Sequence, residues 1–325
     1  MLRSVTANSS AAAGVIAALA TWAAPLAARA DRFDCRYFRA EEVSPLPPVG
    51  GPGPLESVLL PDNNVFRPIL ADQREPRFYA DYRHLHFRGQ NQLSEGHGNN
   101  VNVAMVAFGG EFGLWGLRQR RGCDGFQVSV FGVVFSQFNL DSQSFDLLNT
   151  DYLVGPVLTY RSGPWSGRLR FYHQSSHLGD EFLLNYGLAN GVKRQNLSVE
   201  VLDLLVSLED GWWRVFAGGG FVAFSNKEED LSSTPWLVDY GLELRGDPWR
   251  WQNSKLRPVF GAFFSQLQAT SWSLSGSLEG GLEWSAPNAA QRVRALLVAQ
   301  RGALPFSQFF TDRTQNFGVQ LQFEF

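Results

Sequence analysis

From Trp272 to Trp284 every second residue is apolar or glycine. Trp272, Leu274, Gly276, Leu278, Gly280, Leu282 and Trp284 alternate with Ser273, Ser275, Ser277, Glu279, Gly281 and Glu283. A period of two puts one set on each face of a β-strand, so one face is greasy with aromatic ends and the other is polar and acidic. The final run repeats the pattern, with Phe317, Val319, Leu321, Phe323 and Phe325 on one face and Asn316, Gly318, Gln320, Gln322 and Glu324 on the other. Runs of this kind recur about a dozen times from Phe78 onward, with no helical run long enough to cover a sheet. A sheet so large loses its edges by closing on itself. The expected fold is therefore all-β: a single closed antiparallel transmembrane β-barrel of about 12 strands with its apolar face outward.

The expected strands are 78–88, 101–117, 125–137, 151–160, 166–176, 194–208, 212–224, 235–245, 255–268, 272–284, 291–301 and 314–325. Most exceed the roughly 9–11 residues that a tilted strand needs to cross a bilayer. Outer-membrane barrels join their strands by short periplasmic turns and longer outer loops. Counting from the first strand, five of the six odd connections are long, 269–271 being the exception, and the even ones are shorter. An even strand count places both termini in the periplasm. Trp115, Trp165, Trp212, Trp213, Trp236, Trp249, Trp251, Trp272 and Trp284 fall near strand ends, where interfacial girdles sit.

Composition agrees with a β-rich chain: 26 Phe, 10 Trp and 32 Gly stand beside 2 Met and 2 Cys. Lys+Arg 28 against Asp+Glu 31 gives a net charge of −3, which offers no basic footprint for nucleic acid. Residues 1–30 read as a signal peptide, with Arg3, the apolar stretch from Ala11 to Ala24, and Ala28-Arg29-Ala30 as a small-x-small cleavage site. Residues 31–77 read as a periplasmic tether and rim segment, because Pro45, Pro47, Pro48, Pro52 and Pro54 rule out a helix or a central strand. In 66–77, Arg67, Asp72, Arg74, Glu75 and Arg77 beside Pro68 and Pro76 favour a clamp or plug locked by local ion pairs. The barrel then takes 78–325. Cys35 in the tether and Cys123 in the first short turn share the periplasmic side, so they form either a rim disulfide or two free thiols.

Arg168 to Glu181 is the stretch densest in reactive side chains. Leu169, Phe171, His173, Ser175 and His177 share the lipid face, and Arg168, Arg170, Tyr172, Gln174 and Ser176 share the other. Residues two apart on one strand face are about 7 Å apart at Cα, within reach for an imidazole base and a hydroxyl nucleophile. A hairpin centred near Asn185 brings Asn196 opposite His173 or Ser175 as the group that orients the base, with Asn185 and Glu200 as alternatives.

This outward His-x-Ser pair resembles the catalytic pair of outer-membrane phospholipase A, a twelve-stranded barrel, and of the lipid A deacylases. The resemblance implies His173 as general base, Ser175 as nucleophile on an acyl ester of outer-membrane lipid, and calcium at Asp180 and Glu181. A wider resemblance rests on 66–80 (FRPILADQREPRFYA) and on Tyr172 to Leu184. These look like hallmarks of the bacterial family with domain of unknown function 1207, which implies an outer-membrane location and assigns no activity. The strand ending in Phe325 resembles the signal read by the barrel assembly machinery.

Two other functions compete with a lipid hydrolase. A small pore is one, because the inward set includes Arg168, Arg170, Asp239, Glu243, Arg245, Arg257, Glu279, Glu283, Arg292 and Arg294. Those charges form a selective ladder or pair across the lumen and close it. The other is a structural barrel acting through its loops, in which His173, Ser175, His177, Asp180 and Glu181 only order the third outer loop.

Overall fold

A computed structural model describes residues 55–61, 64–87, 99–119, 124–187, 197–226, 231–251, 254–285 and 291–324. The signal-peptide region, Cys35, Cys123, Asn196 and Phe325 lie outside the described residues. The fourteen described strands are β1 (Leu55–Leu59), β2 (Phe78–Phe87), β3 (Asn100–Gln119), β4 (Gly125–Asn139), β5 (Leu147–Ser162), β6 (Trp165–Leu178), β7 (Leu197–Asp210), β8 (Trp213–Ser225), β9 (Trp236–Arg245), β10 (Trp249–Trp251), β11 (Ser254–Leu267), β12 (Ser273–Ser285), β13 (Arg292–Ala303) and β14 (Arg313–Glu324). Each pairs antiparallel with its neighbour, and β14 pairs with β2 through Phe323↔Phe78 and Thr314↔Phe87, which closes the sheet. Twelve strands form the wall. β1 lies along the end of β3 outside the closed circuit, and β10 makes a short hairpin with β11. Every expected strand is present; β3 and β5 run longer than expected, and β1 and β10 are additions.

The local chemistry explains both ends of the barrel. Gly163 and Gly211, at φ +57° and +58°, make the two-residue turns that join β5 to β6 and β7 to β8. Non-glycine residues rarely adopt that conformation. These turns lie at the end that carries Phe78 and Glu324. On the outer surface, Phe108, Phe112, Leu204, Leu297, Phe317, Val319 and Leu321 stand exposed as an apolar belt. Exposed Trp165, Trp212, Trp249 and Trp284 edge it at the short-turn end, and Trp236 and Trp272 edge it at the other. A closed wall with this exterior and a polar interior is the transmembrane barrel of outer membranes.

The interior is filled, not open. Residues 64–77, expected as a rim clamp or plug, pass through the lumen. Phe66, Ile69 and Leu70 are buried against Leu205, Phe216, Val259 and Leu296 of the wall. The Arg67 guanidinium pairs with Glu243 at 2.8 Å and Glu209 at 3.2 Å, and the Leu70 amide donates to Glu243. Arg161 and Arg214 of the wall donate back to the Val65 and Arg67 carbonyls. Arg74 pairs with Asp151, and Arg77 donates to Gln322 and to the carbonyls of Ile69 and Leu70. The segment lacks any β period because its backbone is held by wall side chains and not by a strand ladder. We call it the plug.

Glu75 of the plug meets Arg168 and Arg170. Burial alone would raise its pKa; the two guanidinium groups, with Arg77, outweigh burial and hold the carboxyl below its ordinary range. A carboxylate shifted down stabilises the fold above its unfolded pKa of about 4.3 and loses that contribution as pH falls through the lower folded value. Asp72, raised by burial and by Glu75, works in the opposite sense. Comparing thermal midpoints of the wild type and Glu75→Gln between neutral and acidic pH reads Glu75 together with its effect on Asp72. The wild-type advantage shrinks on acidification. An advantage that does not change with pH would contradict the pairing.

Candidate functional site

β6 carries the site, and its alternation is as expected. Arg168, Arg170, Tyr172, Gln174 and Ser176 point into the lumen, whereas Trp165, Phe171 and His177 stand exposed on the outer face with His173 and Ser175 between them. Ser176 donates to Asp151 inside the wall, and Gln174 donates to Ser307. These inward bonds fix the strand and so fix which way His173 and Ser175 point.

β7 supplies the partner. The register places Glu200 opposite His173 and Ser198 opposite Ser175. His173 Nδ1 lies 3.0 Å from Glu200 Oε1, with the two side chains 43% and 33% exposed. An ionised carboxylate only accepts, so the shared proton belongs to Nδ1, which in the neutral imidazole leaves the lone pair on Nε2. Ser175 stands one outward position along the strand from that base. The flanking outward positions Tyr152, Val154, Phe171 and Leu202 are all exposed. The polar trio therefore interrupts an apolar wall near the long-loop end of β6. A register shift between Glu200 and Val201 in the pairing of β7 with β8 falls beside the acid. Bulges of this kind re-aim side chains.

Among the described residues Glu200, one of the expected alternatives, faces His173. Asp180–Phe182 form a helical turn and Leu183–Gly187 a wider one, and these take up chain between β6 and β7. The register consequently runs further along β7 than a hairpin centred near Asn185 would give, so Glu200 occupies the orienting position. Asn185 donates to Asp146. Asp180 and Glu181 are exposed and consecutive on one turn, which splays their side chains about 100° apart. Among the described residues no three His, Cys, Asp or Glu side chains gather as a metal group. Calcium prefers about 6–8 oxygens, of which the Asp180 and Glu181 side chains alone supply a part.

β5 leaves its own mark on the site. Val154 pairs with His173 and Val157 with Arg170, but Pro156, which has no N–H, interrupts the ladder between them. A Cβ on Gly155 would lie 2.1 Å from the Phe171 carbonyl oxygen and 2.7 Å from Tyr172 Cα. Gly155→Ala therefore pushes β5 off the strand that bears His173. We expect a loss of about 1–3 kcal/mol with a lower melting temperature in gel-shift unfolding. An unshifted transition would contradict the close approach.

Many of the lumen's charges are held in ion pairs. Glu283 of β12 gathers Arg294 at 2.7 Å, Arg245 and Arg292 at 3.3 Å and Arg257 at 3.8 Å. Asp203 holds Arg170 at 2.8 Å, and Asp81 holds Arg83 at 2.6 Å.

Many solved structures are similar to the chain, these among them. An outer membrane phospholipase dimer with bound calcium from Salmonella typhi is 16% identical, with 76% of this chain and 91% of that chain covered and a TM-score of 0.49. Outer membrane phospholipase A from Escherichia coli is 15% identical, covering 76% and 95%, with a TM-score of 0.48. The transport unit of the Escherichia coli autotransporter AIDA-I is 10% identical, covering 78% and 91%, with a TM-score of 0.41. No curated protein matches the chain in sequence. Residues 50–325 match the family described as protein of unknown function DUF1207, and the chain belongs to that family.

Proposed function

We propose that this barrel is a serine-type lipid acyl hydrolase of the outer membrane, acting on ester-linked acyl chains at its own outer wall. The observation that carries the reading is the 3.0 Å contact between His173 and Glu200, outward on the wall, with Ser175 next along the same face. Base, orienting acid and nucleophile are ordered as acyl transfer requires. Glu200 holds the imidazole with Nε2 free. Rotation of the His173 and Ser175 side chains brings Nε2 to Oγ, a contact that commonly tightens only with substrate. Nε2 takes the Ser175 proton as Oγ bonds to the acyl carbonyl carbon. The ester C–O bond then breaks, and His173 returns the proton to the departing lipid alcohol. Water, deprotonated by the same Nε2, cleaves the acyl-serine and releases the fatty acid.

The substrate reaches Ser175 from the membrane, since Phe171, Val154 and Leu202 around it present the apolar surface on which an acyl chain lies. Export through residues 1–30, insertion through the strand ending in Phe325 and periplasmic termini complete the reading. The plug and the paired lumen charges argue against a pore, and we expect reconstituted protein to be silent in planar bilayers. The enzyme test is fatty-acid release from phospholipid or lipid A vesicles containing the refolded barrel. Release by the wild type and by Ser175→Ala at equal rates would remove the proposal.

A further inference from the structure

The lumen holds a second site that faces away from the His173 wall. Between the plug and the long connections lies a cavity of about 230 Å³. For scale, an engineered protein cavity of roughly 150 Å³ binds benzene. Its upper walls are aliphatic and aromatic, with Val199, Val201, Val222, Leu237 and Phe263 among them, and its base is polar.

Charge at the base is unbalanced. Arg74 is engaged by Asp151 at 3.0 Å and Arg170 by Asp203 at 2.8 Å. Asp72 and Asp239 also line the cavity, and among the described residues neither makes an ion pair. Gln73 of the plug lines the same cavity and is only 6% exposed, and neither its side-chain oxygen nor its nitrogen has a hydrogen-bond partner. A buried amide left without partners costs about 1–3 kcal/mol, and such groups call for a bound water or a ligand.

We propose that this cavity binds an amphiphilic organic cation: a compact apolar body against the Val and Leu wall, and an ammonium group between Asp72 and Asp239 that also bonds the Gln73 amide. An anion would meet two carboxylates, and the cavity's guanidinium groups already carry carboxylate partners, Asp151 on Arg74 Nη1 and Asp203 on Arg170, which leaves Arg74 Nη2 as the unpartnered donor. A neutral alcohol would satisfy Gln73 and leave the carboxylates uncompensated. The site is independent of the Ser175 chemistry, because it opens on the opposite face of the wall.

The test uses the full mature barrel in lipid nanodiscs, with 2-phenylethylamine, 2-phenylethanol and 3-phenylpropanoate as matched probes in calorimetric titrations. Saturable binding of the amine at least tenfold tighter than of either analogue is the expected result. Asp239→Asn, which keeps the shape and removes the charge, should weaken the amine tenfold or more and leave the alcohol unchanged. Val201→Trp, which fills the cavity, should abolish binding of all three. Each variant is first checked for wild-type gel-shift unfolding; if Asp239→Asn does not fold, Asp72→Asn serves for the charge comparison. No saturable binding, equal binding of the three probes, tighter binding of the acid, or undiminished amine binding in the folded Asn variant would each overturn the proposal.

Discussion

Ser175→Ala lowers the rate of fatty-acid release by about 10⁴-fold or more, while the barrel keeps its wild-type unfolding temperature. Removing a serine nucleophile eliminates the covalent route, and only a small acceleration from binding and polarisation survives. Ser175 lies on the outer face and makes no side-chain hydrogen bond within the described residues, so its removal leaves no buried partner unsatisfied. His173→Ala costs about as much, because the nucleophile and its base act as a unit. Glu200→Gln should cost about 10²–10⁴-fold, since an amide at that position no longer enforces the Nδ1–H tautomer. Asn185→Ala leaves activity unchanged, because Asn185 turns toward Asp146. Assaying the four variants in the same vesicles separates a positioning role for Glu200 from a structural one. A structural residue would shift unfolding, whereas a positioning residue shifts the rate and its pH profile.

Glu283→Ala has the largest expected effect on stability. Arg245, Arg257, Arg292 and Arg294 converge on this one fully buried carboxylate. Deleting it leaves four cations facing one another without the carboxylate they share, while Glu324 stays on Arg294. Breaking a buried pair by removing one partner costs about 3–5 kcal/mol, and four partners place Glu283 at the upper end of that range. Urea titration of the refolded barrel should show the loss. Glu283→Gln should recover part of it, because the amide oxygen still accepts from two guanidinium groups. If Glu283→Ala unfolds with the wild type, the cluster contributes nothing net and the lumen is held by the plug and the strand ladder alone.

The wall was legible residue by residue because its period of two survives twelve times, and each strand states its own inside and outside. Arg292, Arg294 and Glu283 fall inward and Leu297, Phe317 and Leu321 outward, as alternation requires. The plug was legible only as an alternative to a clamp. Its residues 64–77 have no period, and their partners Glu209, Glu243 and Asp151 lie far away in sequence, so only closure of the barrel brings them together.

The site was half legible. His173 and Ser175 announce themselves by breaking an apolar face on a single strand. The acid depended on register across a loop, and the helical turn at Asp180–Phe182 shifted that register. Glu200 was visible as an alternative, but alternation could not choose it over Asn196, since both take even positions like outward Leu202 and Leu204; only the pairing register brings Glu200 opposite His173. Asp239 was legible as an inward charge, but no sequence signal joined it to Gln73, because a lumen cavity is made by what the plug fails to fill.

The direct measurement is covalent trapping. Treating vesicle-embedded protein with a long-chain alkyl fluorophosphonate, followed by proteolysis and mass spectrometry, should place one phosphonyl adduct on Ser175. The adduct should be absent in His173→Ala and slow to form in Glu200→Gln. An unmodified Ser175 in a correctly folded barrel, or labelling that proceeds equally fast without His173, would contradict a hydrolase built on this face.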